Sequence, residues 1–76
     1  MEALRIYLNS LSKFDQECFA VKCGTTIGYL RKAISLKQQL GANICVSIER
    51  ESAGKVNRMD LRPADWKETW PELSAA

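Results

Sequence analysis

Apolar residues in this chain recur at helical rather than strand spacing. Leu4, Tyr7, Leu8 and Leu11 stand at i, i+3, i+4 and i+7, one stripe of a helix whose other sides carry Glu2, Arg5 and Asn9. Ser12 reads as an N-cap with Asp15 three positions on, an acidic form of the capping box. The helix that follows, residues 13–22, is expected to bury Phe14, Cys18, Phe19 and Val21 in part. Gly24 stops it, since a left-handed residue just past a helix end is best filled by glycine. Thr25 or Thr26 caps a third helix, about residues 26–35, with Ile27, Leu30, Ala33 and Ile34 on its inner side.

"LKQQLG", residues 36–41, reads as a loop, and residues 42–52 then carry Ile44, Cys45 and Ile48 at helical spacing up to a stop at Gly54. Asn57 caps a turn of helix through Leu61, again with an acid, Asp60, at the third position. Pro63 starts well what it cannot continue, so "PADWKETW" predicts a last short helix with Trp66, Trp70 and Leu73 on one side, ended by Pro71. Only "NICVSIE" alternates as a strand would, and Val56 stands alone. The expected fold is therefore all-α: one compact domain of five or six helices over residues 1–73, with a frayed tail at 74–76.

A chain of 76 residues, 46% hydrophobic and 26% charged, holds one small core and is not of disordered composition. No apolar run is long enough to span a bilayer, and "MEALRIYLNSLSK" lacks the basic start of a secretory signal, so the expectation is a cytoplasmic protein with no membrane partner. The odd number of cysteines argues against a disulfide framework. Cys18, Cys23 and Cys45 without any histidine fall short of the four ligands of structural zinc, and read instead as small hydrophobes. No nucleophile stands in a pattern with a base, and Asp15 and Glu17 read as solvated. An enzyme, a cofactor, a metal and a small-molecule substrate are all unexpected.

The net charge of +2 says less than its distribution. Between Cys18 and Ile48 there is no acidic residue, while Lys22, Arg31, Lys32 and Lys37 all fall inside. A one-sign stretch points to an anionic partner. RNA fits less well than DNA, because aromatics on the basic stretch are too few for a stacking platform. Arg50, Arg58 and Arg62 stand among Glu49, Glu51, Asp60 and Asp65 and are expected to form intramolecular ion pairs. Lys22 complements the dipole of its own helix. Trp66 and Trp70 read as a lid on the core over the first helix, with a dimer contact as the alternative.

The basic stretch coincides with a spacing that a helix-turn-helix demands. A small residue, Ala20, sits where a second helix must pass close above the first, and Gly24 makes the turn four positions later. Leu30 and Ala33 fix the second helix from below, and Thr26, Gly28, Arg31, Lys32 and Ser35 face outward, where they can approach base edges. The plain alternative is a crossed helix pair that packs a core and binds nothing. Thr25 and Thr26 can also offer hydroxyls and backbone N–H groups to phosphate. Tyr29 either touches the DNA backbone or packs under its helix, and Lys37, Gln38 and Gln39 stand ready to clamp phosphates.

Gln16, Ala20, Gly24 and Leu30 match the pattern of Cro- and lambda-repressor-like helix-turn-helix proteins. "ICVSIERESAGKVNRMDLRPADW", residues 44–66, resembles the YdaS-like branch of that superfamily, in which an "IER" helix, a glycine, a capped V-T/N-R turn and "LRP-D-W" follow one another. The resemblance covers residues 3–73. It implies a lambda-repressor-like domain in which residues 13–22 brace the recognition helix and Gln16 donates its amide to a phosphate oxygen. It further implies a sequence-specific transcriptional regulator, phage-derived or antitoxin-type, that binds double-stranded DNA and associates with the nucleoid. A homodimer acting as a repressor on a pseudo-palindromic operator is the expected form. A toxin-binding module that uses its C-terminal part is the alternative. Two positions depart from the family: Thr25 stands where a β-branched aliphatic residue is usual, and Gly28 costs its helix about 1 kcal/mol. Arg31→Ala and Lys32→Ala are expected to weaken binding while barely moving the thermal midpoint.

Overall fold

In a computed structural model, which describes residues 1–73, the chain folds as α1 (Glu2–Asn9), α2 (Lys13–Lys22), α3 (Ile27–Leu36), α4 (Ala42–Glu51), α5 (Arg58–Leu61) and α6 (Trp66–Thr69). A 3-10 turn, Pro71–Leu73, follows, and the tail expected to fray lies outside the described residues. Among the described residues there is no strand, so the fold is all-α, as expected.

The caps explain where the helices begin. The Ser12 hydroxyl accepts the Asp15 N–H at 3.1 Å to start α2. Thr26, not Thr25, caps α3 by accepting the Tyr29 N–H at 3.1 Å. At α5 the Asn57 side chain accepts from the Asp60 N–H at 2.9 Å while Asp60 accepts from the Asn57 N–H at 3.4 Å, a reciprocal capping box. Gly24 and Gly54, at φ 79° and 82°, make the left-handed turns after α2 and α4. Pro71 ends α6 but also opens the 3-10 turn, consistent with proline's preset φ.

α2 packs on α3, α1 lies against α3 and α5, and α4 joins α2 to α5. Leu4, Leu8, Leu30, Leu40, Ile48 and Val56 fill the centre. Ser52 is buried beneath them without cost, since its hydroxyl accepts the Val56 N–H at 3.1 Å. The arginines outside the basic stretch are paired, as expected: Arg58 with Glu49 at 3.1 Å, Arg62 with Asp65 at 2.7 Å and Arg50 with Glu51 at 3.0 Å. Trp70 is buried with the Arg58 and Arg62 guanidinium groups 5.3 and 5.8 Å from its ring centre.

Two expectations fail on α2. Phe14 and Val21 are each 71% exposed, where partial burial was expected. The inner side of this helix is filled by Phe19 and Ala20, so residues on the far side have nothing to pack against. The expected loop over residues 36–41 also begins later, because α3 runs through Leu36 and ends on Lys37 in the left-handed region at φ 54°.

Candidate nucleic-acid interface

The geometry of the basic stretch is set by the turn between α2 and α3. The Gly24 N–H donates to Val21 O at 2.9 Å and the Thr25 N–H to Ala20 O at 3.0 Å, which closes the turn within residues 23–26. Ala20 is 1% exposed. A Cβ on Gly24 would meet nothing within 4 Å, so glycine serves the positive φ there rather than a close approach.

Successive helix residues turn by about 100°. On α3 this sets Leu30 and Ala33, both fully buried, opposite a surface made of Gly28, Lys32, Ser35 and Leu36, all exposed. Leu36, 63% exposed beside Lys32, is a member of that surface that sequence reasoning missed, having been assigned to the loop. Tyr29 lies at its edge, partly exposed in α3's first turn, and Thr26 is exposed just before it. Thr25 is half-buried. Lys37 and Gln38 are exposed where α3 ends, whereas Gln39 donates to Asp65 at 3.1 Å and is tied to the C-terminal part.

Arg31 behaves differently from Lys32. Its Nη2 donates to Gln16 Oε1 at 3.0 Å, and Gln16 Nε2 donates to Leu11 O at 3.1 Å. Both side chains are half-buried, so the pair braces α3 against α2 and the start of the bundle. The Gln16 amide keeps one N–H, and the Arg31 guanidinium several, to offer outward. Replacing Arg31 would break this bond, whereas the Lys32 side chain makes none among the described residues, so the two positions are not equivalent for stability. Among the described residues Lys22, Lys32 and Lys37 take part in no ion pair.

Compared with known proteins, the chain is 32% identical over 60 residues to a prophage transcriptional regulatory protein of Escherichia coli (strain K12), across 79% of this chain and 91% of that protein. This chain belongs to that family of prophage regulators. No model of a known protein family matches it, and no solved structure does.

The remaining chemistry of this prophage regulator is quiet. Burial pushes the Cys23 thiol up to about 11 and raises that of Cys45, so both are neutral thiols packed in the core. Cys18 alone of the three is not buried. Among the described residues no three His, Cys, Asp or Glu side chains converge as metal ligands. No described helix is long and apolar enough to cross a membrane.

Proposed function

We propose that this prophage regulator binds double-stranded DNA sequence-specifically, with α3 in the major groove and α2 bracing it from behind. The observation that carries the reading is the outward surface of α3. Small residues at Gly28 and Ser35 flank an unpaired Lys32, and the fully buried Leu30 and Ala33 hold the helix rigid from below. Lys32 and Arg31 address base edges or phosphates, Ser35 a base edge, and Gly28 lets the backbone come close. Thr25 and Thr26 approach phosphate at the start of α3, with Tyr29 in its first turn, and the free N–H of Gln16 is offered beside Arg31. Lys37 and Gln38 clamp the strand at its other end.

A single α3 reads only a few base pairs, so two copies on half-sites about 34 Å apart form the working unit, a homodimeric repressor of the YdaS-like kind. The protein then resides in the cytoplasm, on the nucleoid when bound. A toxin-binding role for the C-terminal part gains no support from Trp70, whose ring is buried between two arginines.

The test is a fluorescence-polarisation titration against duplex from the region upstream of its own gene and against scrambled duplex at matched salt. Binding tighter by about a thousandfold or more is expected for the specific site. Equal affinity for both duplexes refutes sequence-specific regulation.

A further inference from the structure

The outer side of α2 has no part in this reading. Phe14, Cys18 and Val21 fall within an arc of about 60° at 3.6 residues per turn, and Phe14 and Val21 are the two most exposed large hydrophobic residues described. Gln16 and Ala20, which face α3, lie on the other side of the helix. A shallow groove of about 380 Å³ runs along the stripe, lined by Phe14, Glu17, Cys18, Val21 and Lys22.

We propose that this stripe is where a second copy of the chain docks, its α2 running antiparallel about a two-fold axis beside Cys18. The charges around the stripe select that occupant. Asp15 lies in the first turn of α2 and Lys22 in the last, on the same flank, and neither forms an ion pair within the subunit. Antiparallel pairing sets Asp15 of each copy beside Lys22 of the other, and Phe14 against Val21 in the groove. The two helix dipoles also oppose each other. On the other flank Glu17 approaches its own copy, an exposed pair with Lys13 one turn away from each. A ten-residue helix face covers less than the about 800 Å² per partner of a standard interface, which places this dimer among the weak, transient ones. α3 stays uncovered. The inference deepens the two-subunit reading above by naming its surface.

The test uses the full chain without DNA. Sedimentation across a concentration series should show a monomer–dimer equilibrium, weakened at least tenfold by Phe14→Asp or Val21→Asp. Since both residues are exposed, thermal midpoints measured below the dimerisation range stay unchanged and report that these variants fold. Asp15→Lys should weaken the dimer, and Asp15→Lys with Lys22→Asp should restore it, which a contact with any other protein would not predict. A short bis-maleimide should link two chains through Cys18 and fail on Cys18→Ser. A chain that stays monomeric at all concentrations, or a dimer indifferent to Phe14→Asp and unlinked through Cys18, overturns the proposal. Operator binding by such a monomer would leave the DNA reading intact, whereas a proper dimer without operator binding would sink only that reading.

Discussion

Replacing Gln16 with alanine removes the acceptor for Arg31 and the donor to Leu11 O in one step, two bonds of 3.0 and 3.1 Å that tie α3 to α2 and to the chain before it. A hydrogen bond to a charged group contributes about 1.5–3 kcal/mol when buried. Both partners here are half-exposed, which lowers the Gln16–Arg31 bond to about 1 kcal/mol. In a domain of this size 1 kcal/mol moves the midpoint by about 4–8 °C. Arg31→Ala should therefore lose about 1 kcal/mol, and Gln16→Ala slightly more, because it also frees Leu11 O. The double variant should lose about the same as Gln16→Ala alone, since the shared bond is broken once. Urea denaturation of the four proteins measures the coupling. Strict additivity, with a coupling term under about 0.3 kcal/mol, would refute the brace.

Three further outcomes follow from individual residues. Gly28→Ala should raise stability by about 1 kcal/mol, because the added Cβ meets nothing nearer than Thr26 Oγ1 at 4.0 Å. The same methyl should cut DNA affinity at least tenfold, and unchanged affinity would remove Gly28 from the interface. The Arg62 hydrogen bond, and after it that of Gln39, holds the Asp65 carboxyl below its ordinary value of 3.8. Its contribution is then fully present above the unfolded value and is lost as pH falls through the folded one. The midpoint advantage of the wild type over Asp65→Asn should hold above pH 3.8 and close in acid, and a difference independent of pH contradicts this. With a disulfide reagent such as dithiodipyridine, Cys18 should react in the native protein while Cys23 and Cys45 wait for unfolding. Three equal rates would mean the core is not closed as described.

Local signals made most of the fold readable. Ser12 with Asp15, Asn57 with Asp60, and the glycines at 24 and 54 fix helix ends through bonds and dihedrals that depend on only a few neighbouring residues. The exposure of Phe14 and Val21 was not readable, because apolar residues fall on both sides of α2 and the sequence does not say which side meets the core. Lys37 could not be foreseen as a left-handed cap, since lysine rarely takes that conformation and the nearest glycine stands at 41. On the outward side of α3, Lys32, Gly28 and Ser35 follow from helical periodicity alone. The Gln16–Arg31 bond joins residues fifteen apart on crossing helices, and only the crossing geometry reveals it.

Everything proposed for function depends on the outward side of α3 meeting duplex DNA, and Lys32 is its unpaired charge. The direct measurement is operator affinity as a function of salt for the wild type and Lys32→Ala. Loss of one phosphate contact should lower affinity and reduce the slope of log K against log salt by about 0.9. If Lys32 reads a base edge instead, affinity should fall by about 1–3 kcal/mol at one operator position with little change in slope. Binding by Lys32→Ala that matches the wild type in both affinity and slope, across all operator positions, would contradict the account.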